Sequence, residues 1–199
     1  KCRLIYASSS KVFGDKLPKT INEQTKKKQD CLYSITKNTT YGLIEFYRNM
    51  YALQASVVYL FNHESRYRKE SYFIPIILKA LTSAIEGSKK KFNIRSLGFY
   101  CDWGSAEEYM SIMIEMVERA AGEDFVLGTG KCSYAREFVD ELFGKYGLDY
   151  TDYINEIDKS NQNSSYHVDI YKLQKKLGVI PKLDIIDVCN DILNNRSNC

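Results

Sequence analysis

Two short apolar runs, Arg3–Ala7 (RLIYA) and Ala55–Phe61 (ASVVYLF), flank one long helical pattern at Cys31–Met50. That order constrains the fold more than any other feature. Neither run alternates apolar with polar residues, so each is expected as a strand buried on both faces of a parallel sheet. The second is rich in β-branched and aromatic residues, which suit a pleated surface. Strand, loop, helix and strand in this order make a βαβ crossover. Open sheets of this type bind ligands beyond the carboxyl ends of their strands. Those ends carry Ser8-Ser9-Ser10 and Asn62-His63-Glu64-Ser65.

The intervening Gly14–Asp30 segment is polar, holds Pro18 and is expected as a loop. Along the central helix Tyr41, Ile44, Tyr47 and Tyr51 form the expected apolar stripe. Further on, helices are expected over Ile74–Glu86, from the Ser105-Ala106-Glu107-Glu108 capping box to Ala121, over Ser133–Tyr146, and in two short terminal segments, Asp169–Leu177 and Asp184–Asn194. Strands are expected at Phe92–Gly98 and Asp124–Gly128, and a polar loop at Asn155–Ser165.

A length of 199 residues with net charge +3 suits one ordinary domain or two small lobes. That charge is too mild to argue for a nucleic-acid partner. The runs Lys26-Lys27-Lys28 and Lys89-Lys90-Lys91 are expected as solvated loops. Six widely spaced cysteines with no Cys-x-x-Cys, and only two histidines, give no metal constellation. No apolar run is long enough for a membrane span and no signal peptide is evident, so a cytoplasmic protein with reduced thiols is expected.

Within the helix, Tyr33 precedes Lys37 by one turn, which places phenol and ammonium on one face. A phenol beside a fixed positive charge gives up its proton more readily, so Tyr33 is a candidate to exchange a proton with a substrate hydroxyl. The pair alone is a weak signal in a chain with 16 tyrosines. Its context strengthens it.

The strings ASSSKVFG (Ala7–Gly14), Tyr33-Ser34-Ile35-Thr36-Lys37, LFNHES (Leu60–Ser65), DWG (Asp102–Gly104) and REFV (Arg136–Val139) together resemble an extended short-chain dehydrogenase/reductase of the GDP-mannose 4,6-dehydratase family. The resemblance is carried by residues 1–150. It implies a nucleotide-sugar-modifying lyase that oxidises and dehydrates the hexose of a GDP-sugar with tightly bound NADP. By resemblance, Tyr33 takes the proton of the sugar 4-hydroxyl, and Lys37 holds the nicotinamide ribose. Ser9 stands for a family Thr that hydrogen-bonds the sugar. His63 and Arg68 match NADP-contacting positions, and Asn62 lies beside the sugar nucleotide. The implied fold is α/β, the second half of a Rossmann-like parallel sheet plus a small α/β substrate-binding lobe. Residues 1–62, with 102–147 returning to them, are assigned to the NADP-binding domain, and 63–101 with 148–199 to the lobe. A homo-oligomer is expected, since the family's loop at Arg68 reaches toward a neighbouring subunit.

Three departures qualify these implications. Lys11 replaces the family's catalytic Glu, which removes the carbon 5 proton; an ammonium is a poor base. Cys101 replaces an Arg before Asp-Trp-Gly that should pair with a diphosphate, and a thiol cannot. The family's Arg-Pro segment is absent, Asn163–Asp169 reading NSSYHVD. Arg95 and Arg136 are candidates to replace those anchors. The family's Gly-rich dinucleotide fingerprint is also missing, so the chain is expected to be a fragment or to be completed by another polypeptide. Two other readings follow: carbon 4 dehydrogenase, epimerase or reductase chemistry without dehydration, or a catalytically degenerate paralogue kept for binding. An unrelated α/β domain is disfavoured by LFNHES and DWG.

Overall fold

The computed structural model describes residues 2–196. Arg3–Ser9 is β1, followed by a 3-10 turn at Ser10–Phe13 and a two-residue strand β2 at Thr20–Ile21. Helix α1 spans Leu32–Tyr51, β3 Gln54–Leu60 and β4 Asn62–Glu64. Then come α2 (Phe73–Ile85), β5 (Phe92–Ile94), β6 (Tyr100–Ser105) and α3 (Ala106–Arg119). The chain continues through β7 (Phe125–Leu127), β8 (Cys132–Tyr134) and α4 (Ala135–Gly144). It ends with β9 (Ile154–Glu156), β10 (His167–Val168), α5 (Tyr171–Leu177) and α6 (Ile185–Arg196).

β1 and β3 pair in parallel from Arg3–Gln54 to Ser9–Leu60, and β7 joins the far side of β3 in parallel. The expected crossover is therefore the central unit. Along β3, Val57 and Tyr59 point into one cluster with Ile44 of α1, Phe13 and Val126. Val58 points into another, with Tyr109, Met113 and Met116 of α3, and Leu173 and Leu177 of α5. Alternate residues thus enter opposite cores, which is why the run contains no polar alternation. A third core gathers α2, α4 and α6 around Leu97 and Trp103.

Three smaller sheets complete the molecule. β4, β6 and β8 form one; β5 pairs with β9 and β2 with β10, both in parallel. None of these pairings was expected. Tyr100–Ser105, where no strand was expected, forms β6, while the strand expected over Phe92–Gly98 stops at Ile94. Beyond Ile94, the Leu97 amide and Ser96 hydroxyl turn to the Glu156 carboxylate instead.

Helix α1 opens as its sequence demands. Cys31 is extended, its amide donates to Ser34 Oγ (3.1 Å), and that hydroxyl donates back to the Cys31 carbonyl (2.8 Å). Ser105 caps α3 by accepting from the Glu108 amide, and Glu107 and Glu108 favour the helix dipole's positive end. The expected α1 stripe is corrected in part. Ile44 is buried, but Tyr47 and Tyr51 are exposed, stacking on each other at 5.4 Å. Lys27, expected in a solvated run, is half-buried over the Tyr41 and Tyr59 rings, at 4.1 and 5.0 Å. Burial lowers its ammonium's pKa, against the raising effect of Asp124 and Glu45.

Candidate active site

The carboxyl end of β1 and the first turns of α1 meet. Lys37 Nζ donates to the Ala7 carbonyl at 2.7 Å. The same ammonium lies 4.9 Å from the Tyr6 ring centre and 5.6 Å from that of Tyr33. One cation thus joins the Tyr33 helix to the strand that runs into Ser8 and Ser9. Tyr33 is 50% exposed, so its phenol is open to a ligand. Ser9 Oγ accepts from the Lys11 amide at 3.3 Å and caps the 3-10 turn. Ser8 is buried, and its hydroxyl has no hydrogen-bond partner among the described residues. Such an orphan at a strand end fits a site that a polar ligand completes.

Lys11 turns outward. Its side chain is 58% exposed and its ammonium pairs with Asp15 at 2.9 Å. A charged ammonium has no lone pair with which to accept a proton, so position 11 holds no base. Gly14, with φ of +99°, closes the turn; a side chain there would meet Lys28 and Asp30 as well as backbone strain.

The next strand end builds a second shoulder. Residues Asn62, His63 and Glu64 pair with Trp103, Gly104 and Ser105 of β6. Asn62 is exposed. His63 holds its ring by Nδ1 against the Phe61 carbonyl (2.9 Å) and packs on Tyr109 (5.4 Å). Gly104 is required here, because any Cβ would enter the Tyr109 ring. Arg68 stacks over Tyr72 at 3.9 Å and places its Nε 3.7 Å from Glu64 Oε2.

The anchors suggested for a diphosphate are placed differently. Arg136 forms a bidentate pair with Glu156, at 2.9 and 3.0 Å, and Glu156 is nearly fully buried. Each member favours the other's charge: Arg136 is pushed up, and Glu156 is pulled below the usual carboxylate range despite its burial. For Arg136 to anchor substrate it would have to leave or share this partner, which would strand a buried carboxylate. Arg95 is exposed beside Asp158, whose amide its carbonyl accepts at 2.7 Å. Cys101 is buried, and burial pushes its thiol pKa up. It faces the third core with Trp103, so the missing guanidinium is replaced by packing.

Sequence reasoning missed three polar side chains of this region, two of which hold it together. Asp102 of DWG is fully buried and accepts from Thr129 N (2.9 Å), Thr129 Oγ1 (2.8 Å) and Gly130 N (2.9 Å). Asn163 binds both backbone groups of Tyr100, at 2.7 and 2.9 Å. Glu64 is buried with one oxygen lacking a hydrogen-bond partner. DWG and NHES had marked two of these positions; nothing local marks Asn163.

The sequence profile of the GDP-mannose 4,6-dehydratase family matches residues 1–190. The chain belongs to that family. The match continues past residue 150, where the recognisable strings end. GDP-mannose 4,6 dehydratase 1 of Arabidopsis thaliana is 31% identical over 181 residues, covering 89% of this chain and 50% of that protein. GDP-mannose 4,6-dehydratase sdnI of Sordaria araneosa is 30% identical over 165 residues, covering 83% of this chain and 29% of that protein. The chain thus spans half or less of the length of these two relatives. Among solved structures, RMD from Pseudomonas aeruginosa complexed with NADPH superposes with a TM-score of 0.84 at 17% identity, over 98% of this chain and 66% of that one. That likeness establishes the fold, a Rossmann-type α/β sheet.

Proposed function

We propose that this GDP-mannose 4,6-dehydratase family member works on carbon 4 of a nucleotide sugar, a GDP-hexose or GDP-heptose, as part of an NADP-dependent enzyme. The single observation carrying the reading is the Lys37 ammonium placed between the Tyr33 ring and the Ala7 carbonyl, at the strand end bearing Ser9. Tyr33 takes the proton of the 4-hydroxyl, and Ser9 orients that hydroxyl. Lys37 holds the ribose next to the nicotinamide and keeps a positive charge by the phenol. His63 and Arg68 hold the cofactor, and Asn62 and Arg95 face the sugar nucleotide. When bound, the nicotinamide supplies the hydride acceptor. The half-exposed Tyr33 and the unpartnered Ser8 hydroxyl fit such a ligand pair.

Elimination across carbons 5 and 6 needs a base where Lys11 pairs with Asp15. That pairing favours carbon 4 oxidation, reduction or epimerisation over dehydration. Residues 1–62 with 102–147 would form the cofactor domain, with the remainder as the substrate lobe, in a cytoplasmic homo-oligomer. Helix α4 shares a core with α2 and α6, so the two parts would meet there.

The test is incubation of the protein with GDP-mannose and NADP, followed by mass analysis of the sugar. Tyr33→Phe should lower turnover by roughly 10²–10⁴. A 4-keto or epimerised sugar retaining the carbon 6 oxygen supports the reading, and a 6-deoxy product refutes the restriction to carbon 4. A protein that turns over no GDP-sugar supports a degenerate paralogue.

A further inference from the structure

Glu64 does nothing in the chemistry above, yet it is a carboxylate that is only 5% exposed at the end of β4. Its Oε2 lacks a hydrogen-bond partner, and so does the Nε of Arg68 3.7 Å away. Two opposite charges stand just beyond hydrogen-bond distance, with the guanidinium carbon 3.9 Å from the Tyr72 ring centre. We infer that Glu64 is a positioning residue that holds Arg68 over Tyr72 when ionised and releases it when protonated.

Three observations carry this. Arg68 lies four residues downstream in a turn, its amide bonded to the Ser65 carbonyl at 3.1 Å, which aims its side chain back at Glu64. Its Nε is otherwise unsatisfied and its ring contact with Tyr72 does not fix the guanidinium in plane, which leaves Glu64 as the directing charge. Burial raises the Glu64 pKa to about 7, with Arg68 pulling it down, so the carboxylate changes state in the neutral range. Among the described residues, the groups packed against it from β6 and α6 are uncharged or acidic, and Arg66 lines the cleft beside it. Cys189 of α6 and Cys101 of β6 are buried thiols, and Ser105 is its register partner. The cleft of about 630 Å³ beside it carries Arg66, Glu107 and Asp191.

The consequence for ligand binding rests on the proposed function: if Arg68 meets the cofactor, cofactor affinity falls as Glu64 takes a proton. Such proton-ligand coupling is reciprocal, with typical magnitudes of about fivefold and more.

The test follows the Arg68 Nε–H resonance by NMR from pH 5.5 to 8.5, together with NADPH affinity by fluorescence. Expected is a resonance that titrates near neutrality, and NADPH binding about fivefold weaker at pH 6 than at pH 8. In Glu64→Gln both should stay at the acid limit at every pH. In Arg68→Gln, which leaves Glu64 intact, the Glu64 carboxyl carbon should titrate at higher pH than in the parent protein. An Arg68 resonance that ignores pH, or one that titrates alike in Glu64→Gln, overturns the inference. A coupled resonance in a protein that never binds NADPH supports the pair and refutes the cofactor role instead.

Discussion

Two neighbouring strands of one sheet, β4 and β6, each bury a carboxylate, and the protein treats the two in opposite ways. Asp102 on β6 is saturated by three donors from the Thr129–Gly130 turn. Glu64 on β4 has one distant guanidinium and an orphan oxygen. Burial pushes both carboxyl groups up, but for Asp102 the three hydrogen bonds pull back, whereas Glu64 reaches about 7. The difference separates a carboxylate that builds the fold from one that the fold tolerates. A buried acid kept for structure is given donors; one left short of them is held in reserve for something else.

The comparison can be broken most directly at Asp102. Asp102→Ala orphans the Thr129 and Gly130 backbone N–H groups in a buried turn and leaves the Thr129 hydroxyl only its Lys131 partners, at a cost of about 2–5 kcal/mol. Urea unfolding should show it, and a loss below 1 kcal/mol would remove the contrast. Glu64→Gln should act with the opposite sign. Because the folded-state pKa is raised, the folded protein keeps the proton longer than the unfolded chain. The Glu64 contribution is then fully present below the ordinary carboxylate range and is lost as pH climbs through about 7. Glu64→Gln should therefore gain about 1–3 kcal/mol over the parent at pH 8 and nothing at pH 4. A uniform gain at both pH values would show that packing rather than charge is responsible. The smallest stability effect belongs to Tyr33→Phe. A half-exposed phenol should change thermal stability by no more than about 0.5 kcal/mol, so any large shift would mark Tyr33 as structural.

The crossover and the positions of Tyr33, Lys37, Ser9 and Lys11 on it were legible, because two unbroken apolar runs and one capped helix leave few arrangements. The small sheets were not. β4, β6, β8 and β9 are strands of three to six residues whose partners lie far away in sequence, and no local periodicity announces a pairing of that length. Arg136 shows a related limit. By sequence it is a candidate anion anchor, and nothing there signals that the carboxylate of Glu156, twenty residues on, pairs with it. Lys27 shows the same limit from the other side, a charge in a basic run drawn over one aromatic ring of α1 and another of β3, elements it does not belong to.

Glu156 gathers more than Arg136. The Leu97 amide and the Ser96 hydroxyl converge on the same carboxylate, so β9, the turn after β5 and helix α4 share one fastening point. Segments knotted in this way cannot peel off singly. In hydrogen–deuterium exchange their amides should become labelled as a single cooperative unit, well behind the exposed face of α1.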